Sequence, residues 1–125
     1  MGDLSKNFSR SEFACKGTNC CGHSAPVHPE LISALQDLRD QLNLPLSITS
    51  GFRCNRHNDS VGGAARSFHT MGMAADVACP KGMTAENLAQ AAETIPAFQQ
   101  GGIGIYPSWV HLDVRTTGKA RWRND

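Results

Sequence analysis

The sequence predicts an α+β domain in which helices pack on a small, mostly antiparallel sheet. Two observations indicate this class. One segment repeats leucine at the spacing of a helix, whereas several short segments alternate apolar and polar residues as half-buried strands do. The predicted order is two helices, a strand, a loop, a strand, a helix and two strands. At 125 residues the chain has the length of one domain, and we expect residues 1–125 to form it.

Three helices are predicted from capping residues and periodicity. A short first helix follows Ser9, because Ser9 and Glu12 form a capping-box pattern. The second helix begins at Pro29 and ends before Pro45. Its apolar stripe, which should pack on the sheet, consists of Leu31, Leu35, Leu38 and Leu42. The third helix begins after Thr84, a favourable N-cap residue, and stops at a proline twelve positions later.

Four segments are predicted to form strands because they are short, rich in β-forming or small apolar residues and bounded by turn residues. These segments are residues 46–50, 73–78, 101–106 and 109–114. The last two should form a hairpin around Pro107 and Ser108. Residues 51–58 form a connecting loop in this interpretation. The polar, basic tail from Thr116 onward is expected to be peripheral.

Composition and charge narrow the classes of function. Hydrophobic residues make up 40% of the chain and charged residues 18%, which is typical of a globular protein. The net charge of +1 indicates no electrostatic attraction to nucleic acid or to an anionic membrane. No apolar run has the length of a signal peptide or of a membrane span. We therefore expect a monomer made in the cytoplasm, which would need separate delivery to act elsewhere.

The five cysteines are an odd number, so at least one thiol stays unpaired in a monomer unless a metal binds it. Cys15, Cys20, Cys21 and His23 form a cluster that fits a small structural zinc site, alone or with Cys54. The same residues fit a disulfide to Cys54, or ordinary thiols. Their spacing matches no standard zinc-finger pattern.

A second group of residues suggests a catalytic metal site. His69 and Asp76 are seven positions apart with small residues between them, as two ligands of one metal ion would be. Hydrolytic zinc sites usually have three protein ligands and one position for water. His111 is the candidate third ligand, because alternation places it on one strand face with Trp109 and Asp113. Each residue alone also fits an ordinary role, as a surface or hydrogen-bonded histidine or a turn aspartate.

Four motifs lie along the chain in the order Ser50-Gly51-Phe52-Arg53, Asn58, Ser67-x-His69-x-x-Gly72-x-Ala74-x-Asp76 and Trp109-Val110-His111-x-Asp113. Together they resemble peptidase family M15, the zinc D-Ala-D-Ala carboxypeptidases and murein endopeptidases, especially its compact phage and bacterial branch. The resemblance covers nearly the whole chain, since residues 4–15 and 102–107 are also similar to that branch. It implies the α+β fold shared with hedgehog signalling domains, with the metal on one face of the sheet.

The resemblance implies that the three candidate ligands bind one zinc ion. It implies that Arg53 stabilises the oxyanion that develops on the scissile carbonyl, a role that suits a permanently charged fork. Ser67 and Asn58 fall where the family has polar residues near the substrate.

The general base departs from the family pattern. Several branches have an acidic residue three positions before the third ligand, and that position here is Ser108; others have a histidine at the position of Trp109. Asp113 is the candidate base because alternation puts it on the face of the third ligand. It fits equally well a role in orienting that ligand or in pairing with Arg115. His57 is a further candidate.

The function implied by the resemblance is zinc-dependent cleavage of bacterial peptidoglycan peptides in the cell wall, by a carboxypeptidase or an endopeptidase. A phage lysin is one source that suits a chain without a signal peptide. The alternative is a non-catalytic zinc module that binds peptidoglycan or a protein. A structural zinc protein of a phage tail or capsid is a third reading, and it would place the metal at the cysteine cluster.

Overall fold

The helices and strands of the computed structural model follow the predicted order closely. The model describes residues 4–17, 27–54, 57–58 and 68–123. Short 3-10 helices span Arg10–Phe13 and Phe68–Met71. The α-helices described in full are α1 (Pro29–Leu42), α2 (Ala85–Ala92) and α3 (Pro96–Gln99). His57 and Asn58 are also helical, so the prediction of a loop over residues 51–58 is wrong at its end. The strands are β1 (Ser47–Ser50), β2 (Ala74–Ala78), β3 (Gly102–Ile105), β4 (Trp109–Asp113) and β5 (Ala120–Arg123).

The five strands form one sheet in the order β1-β2-β4-β3-β5. The pairs β1–β2, β2–β4 and β3–β4 are antiparallel, and β3–β5 is parallel. The predicted α+β class with a mostly antiparallel sheet is therefore confirmed. The central β2–β4 pair aligns Asp76 directly opposite His111, so the backbone ladder itself brings two candidate ligands together.

Three of the four leucines in the predicted stripe of α1 belong to the buried core, and the fourth, Leu42, packs against it while partly buried. Leu31, Leu35 and Leu38 are fully buried, and each contributes about 1.5–3 kcal/mol through removal of its side chain from water. The helix begins after His28, whose Nδ1 accepts a hydrogen bond from the backbone N–H of Glu30 at 3.2 Å. This cap explains why α1 starts where it does.

The two faces of the sheet are chemically different because side chains alternate along each strand. One face is apolar and packs against the helices through Val77, Val110, Leu112 and Ile103. The opposite face carries Asp76, His111 and Asp113 on adjacent strands. The helices thus stabilise one face and leave the other for polar side chains.

The third predicted helix differs from the structure near its end. Thr84 caps α2 as predicted, because its hydroxyl accepts a hydrogen bond from the N–H of Asn87 at 3.1 Å. However, α2 ends at Ala92, and Pro96 begins the separate short helix α3. A proline suits the first turn of a helix, where its missing N–H has no partner to lose.

The prediction that the tail from Thr116 is peripheral is wrong. Residues Ala120–Arg123 form β5, which extends the sheet beside β3. The polar composition concealed a strand that has only one large apolar side chain, Trp122. This indole donates a hydrogen bond to the Tyr106 hydroxyl at 3.0 Å, and its ring centroid lies 4.9 Å from that of His111.

Gly104 on β3 provides the space for the Trp122 indole. A Cβ at this position would overlap the indole at its nitrogen and at the adjoining ring carbons. We expect Gly104→Ala to lower the free energy of unfolding by about 1–3 kcal/mol, the usual cost of overpacking. Denaturant unfolding followed by tryptophan fluorescence would measure it. Adding Trp122→Ala should make the alanine at 104 nearly neutral; equal costs in both backgrounds would contradict the explanation.

The N-terminal segment holds the loop that follows β1. The capping box forms, since Glu12 accepts a hydrogen bond from the N–H of Ser9 at 2.7 Å. The carbonyl of Phe13 then accepts a hydrogen bond from the N–H of Phe52 at 2.8 Å. Gly51 permits this approach, because a Cβ there would lie 2.6 Å from the Cα of Phe13. No helix in the described part of the chain is long and apolar enough to cross a membrane.

Candidate metal centre

His69, Asp76 and His111 meet on the polar face of the sheet. His69 lies on the second 3-10 helix, Asp76 on β2 and His111 on β4. Oδ1 of Asp76 lies 3.1 Å from Nε2 of His69 and 3.3 Å from Nδ1 of His111. One ligand atom from each residue lies within 4.8 Å of the others. All three residues are buried, with at most 8% of their surface exposed.

The outer nitrogen of each histidine has a hydrogen-bond acceptor. Nδ1 of His69 lies 2.7 Å from the carbonyl oxygen of Gly51, which can only accept. Nε2 of His111 lies 2.7 Å from Oδ2 of Asp113. Each outer nitrogen therefore carries a hydrogen, and each inner nitrogen, which faces Asp76, is the one that can bind a cation. Such outer partners fix ring orientation in protein metal sites.

This donor set fits zinc. Two imidazole nitrogens and one carboxylate oxygen are a usual set for a catalytic zinc ion that keeps a fourth position for water. In the described parts of the chain, this is the one group of three such residues with ligand atoms close enough for a single ion. The predicted ligands therefore lie where one metal ion could contact all three.

Burial and neighbouring charges shift the pKa values of Asp76 and His111 in opposite directions. Burial acts to raise the pKa of Asp76, but hydrogen bonds and charge from His111 and His69 lower it to about 2. Burial acts to lower the pKa of His111, but Asp113 and Asp76 outweigh it and raise that pKa. In the metal-free protein, the His111 ring lies between two carboxylates, with Nδ1 facing Asp76 and Nε2 facing Asp113, which favours a second proton on the ring. Metal binding must displace this proton.

The raised pKa of His111 predicts the pH dependence of the metal-free protein. A group whose pKa is raised by folding stabilises the fold fully below its unfolded pKa of about 6.5, and this contribution is lost as the pH rises through the folded pKa. We expect the melting temperature of chelator-treated protein to fall as the pH rises over the interval above about 6.5. His111→Gln should flatten this part of the profile. A metal-free melting temperature that rises over the interval would contradict the prediction.

Arg53 lies beside this group of ligands. Its backbone N–H donates to the carbonyl of His69 at 3.1 Å, which ties the loop after β1 to the first ligand. Burial lowers the pKa of Arg53, while the charges of Asp76 and Tyr106 act to raise it, so its guanidinium lies within electrostatic reach of both. Its Nε is buried, and no described group accepts its hydrogen. Within the described residues the guanidinium therefore keeps an unused donor at Nε, on a side chain that is only half-buried.

The other predicted residues lie at different distances from this centre. Asn58 is buried, and its backbone N–H donates to the carbonyl of Cys54 at 2.9 Å. His57 is half-buried, with its N–H 3.5 Å from the sulfur of Cys54. Ser108 is exposed in the turn between β3 and β4. Ser67 lies outside the described residues, so its predicted role stays a prediction.

Asp113 is fully buried and has a partner on each carboxylate oxygen. Oδ1 accepts hydrogen bonds from the N–H of Gly102 at 2.9 Å and from Nε of Arg115 at 2.8 Å. Oδ2 accepts from a terminal nitrogen of Arg115 and from His111, both at 2.7 Å. Burial opposes ionisation, but the bonds from Arg115 and His111 hold the pKa of Asp113 well below its usual range. This geometry agrees with two of the predicted alternatives, orientation of His111 and pairing with Arg115.

Aromatic side chains line the same face next to His111. The rings of Tyr106 and Trp109 stack with centroids 3.7 Å apart and planes 6° apart. Trp122 links this pair to the metal centre through its hydrogen bond to Tyr106 and its contact with His111. The sequence reasoning missed Trp122 and the Gly51 carbonyl. The period-two spacing of Ala120 and Trp122 was a sequence signal for Trp122. The Gly51 carbonyl has no sequence signal, because every residue carries a backbone carbonyl.

A comparison with protein families agrees with this geometry. The family model described as Peptidase M15 matches residues 6–113, which is most of the chain and includes all three candidate ligands. A comparison with curated proteins gives no match.

Proposed function

Because the chain belongs to peptidase family M15, we propose that it is a zinc-dependent peptidase that cleaves bacterial peptidoglycan peptides. The observation that carries the proposal is the convergence of His69, Asp76 and His111 within 4.8 Å on one face of the sheet. The proposed reaction is hydrolysis of a peptide bond next to a D-amino acid, as a D-Ala-D-Ala carboxypeptidase or a murein endopeptidase. We take residues 1–125 as one zinc peptidase domain that acts as a monomer on the cell wall, as a phage lysin would.

In this proposal His69, Asp76 and His111 hold the ion. When bound, zinc would lower the pKa of a coordinated water and polarise the scissile carbonyl. Gly51 and Asp113 keep the two imidazole rings oriented with their inner nitrogens toward Asp76. The buried ligands bind the ion in surroundings of reduced polarity, where electrostatic interactions are stronger than in water.

Arg53 is the proposed oxyanion-stabilising residue. The backbone N–H of Arg53 ties this residue to His69, and its half-buried guanidinium lies within electrostatic reach of Asp76. A permanent positive charge that is already in place costs no reorganisation when negative charge develops on the carbonyl oxygen. Ser67 is proposed to contact the substrate peptide, and the buried Asn58 to lie near it without direct contact.

We assign Asp113 to the orientation of His111 and not to proton transfer. Its two oxygens accept four hydrogen bonds from Gly102, Arg115 and His111, with a fifth contact from the backbone N–H of Arg115 at 3.1 Å. A carboxylate so fully engaged and so strongly held in its ionised form is a poor proton acceptor. His57 remains the other candidate base.

A non-catalytic zinc module that binds peptidoglycan is the second candidate function. The observation that favours it is the exposed Ser108 at the position where several branches of the family have an acid, together with the engaged state of Asp113. Such a module would bind zinc and wall peptides without cleaving them.

Digestion of purified peptidoglycan distinguishes the two functions. The zinc-loaded protein and a chelated sample would be incubated with peptidoglycan, and the products identified by mass spectrometry. Zinc-dependent release of D-Ala or of shortened cross-links is the expected result, and it names the bond. A protein that binds one zinc and sediments with peptidoglycan but releases nothing would be the binding module.

We also propose that Cys15 and Cys54 bind a structural ion together with the cysteines near residue 20, which lie outside the described residues. The sulfurs of Cys15 and Cys54 are 3.8 Å apart. Two thiolates on one tetrahedral zinc, each at about 2.3 Å, lie about this far apart. Two zinc ions per chain would support the site. If the protein binds one zinc ion and peptide mapping finds a disulfide between Cys15 and Cys54, the structural zinc site is excluded and the disulfide is supported.

A further inference from the structure

Arg115 connects several parts of the metal centre without being a ligand. Its side chain forms a two-point contact with Asp113, from Nε to Oδ1 at 2.8 Å and from a terminal nitrogen to Oδ2 at 2.7 Å. Gly102 leaves room for this fork, because a Cβ there would overlap both the Asp113 carboxylate and the Arg115 guanidinium. The same carboxylate accepts the Nε2 hydrogen of His111. Arg115 therefore acts on the third ligand through one intermediate residue.

The guanidinium also lies between two aromatic rings that border the other ligands. Its central carbon is 4.4 Å from the ring centroid of Phe68 and 5.5 Å from that of Trp122. Phe68 directly precedes His69 on the second 3-10 helix, and Trp122 packs against the ring of His111. Cation–π contacts of this kind are worth about 0.5–2 kcal/mol, depending on how far water is excluded. One side chain thus touches the surroundings of both histidines.

We propose that Arg115 is a positioning residue of the metal centre: it fixes Asp113, and thereby holds His111 with Nδ1 directed at the ion. The two-point fork sets the plane of the carboxylate, and that plane sets the direction of the hydrogen bond to Nε2. Packing against Phe68 and Trp122 stops the fork from rotating. The inference rests on the metal site of the proposed function and not on its substrate.

Zinc affinity, measured by competition with a chromophoric chelator, tests the inference without any substrate. We expect Arg115→Ala to weaken zinc binding about 10–100-fold, the usual range for loss of an outer partner. Arg115→Lys keeps the charge but not the fork, and should fall between wild type and Arg115→Ala. The visible spectrum of the cobalt-substituted protein should change in both variants, because it reports ligand geometry.

Arg121→Ala is the matched control. Arg121 also makes a two-point contact with a carboxylate, that of Glu93, at 2.7 Å for each bond, but this pair lies away from the ligands. The variant removes a similar ion pair and should bind zinc like wild type. Equal zinc affinities for Arg115→Ala and Arg121→Ala would show that Arg115 is only a structural ion pair, and would overturn the inference.

A double-mutant cycle tests whether Arg115 acts through Asp113. If it does, Arg115→Ala combined with Asp113→Asn should bind zinc no more weakly than the weaker single variant. Additive losses would overturn the inference. Arg115→Lys supplies the test if Arg115→Ala fails to fold, since wild-type affinity in that variant would also overturn it. A wild type that binds zinc but cleaves nothing refutes only the peptidase, whereas a wild type that binds no zinc refutes both.

Discussion

Replacement of His69 by alanine is expected to abolish stoichiometric zinc binding and all peptidoglycan hydrolysis. His69 supplies one of three ligand atoms, and its loss should weaken zinc by more than the roughly 100-fold that loss of an outer partner can cost. The change also leaves the buried Gly51 carbonyl without its donor, which costs about 1–3 kcal/mol of stability. Metal analysis after gel filtration and the mass-spectrometric digestion assay would measure both effects.

His28→Ala is the control for this prediction. His28 caps α1 and lies outside the metal centre, so its replacement should cost about 1 kcal/mol of stability and leave zinc content unchanged. Circular dichroism would verify that both variants fold. If folded His69→Ala protein still binds one zinc ion and keeps full activity, His69 is not a ligand of the catalytic metal.

Arg53→Ala is expected to lower kcat by about 10²–10³ while one zinc ion remains bound. This is the usual cost of removing one donor to a developing oxyanion. KM should change little, because the interaction strengthens only as charge develops on the carbonyl oxygen. Steady-state kinetics on a synthetic D-Ala-terminated peptide would separate the two parameters.

Two arginine variants sharpen this test. Arg53→Lys keeps a positive charge but loses the fixed fork, and should recover part of kcat. Arg39→Ala removes an arginine from α1 and should retain wild-type kinetics. A kcat within twofold of wild type in Arg53→Ala would exclude the oxyanion role and would favour the binding module.

Much of the fold was predictable because its signals are local. The leucine stripe and His28-Pro29 define α1, and alternation around His111 predicts both faces of β4. The spacing of His69 and Asp76 then pointed to one site, although the site depends on β2 pairing with β4, which sequence periodicity does not specify. The role of Arg53 was predicted only from the resemblance to the M15 family, because its neighbouring residues alone do not indicate a catalytic arginine.

The remaining features depend on tertiary contacts that have little local signal. β5 was missed because a four-residue edge strand with two arginines has the composition of a solvated tail. The contact of Arg115 with Phe68 joins positions 47 residues apart, so no periodicity links them. The buried state of Asp113 likewise follows from Gly102 and Arg115 closing around it, and not from its own strand.

The alignment of Asp76 with His111 across the β2–β4 ladder also bears on how the chain folds. These residues are 35 positions apart. In the unfolded chain, bringing them together costs the entropy of closing a long loop. Zinc should therefore bind the native state far better than the unfolded ensemble. At a free zinc concentration 100 times the Kd, mass action alone adds about 2.7 kcal/mol to the free energy of unfolding. The supply of zinc in the surroundings would then set the fraction of the protein that is folded as well as its activity.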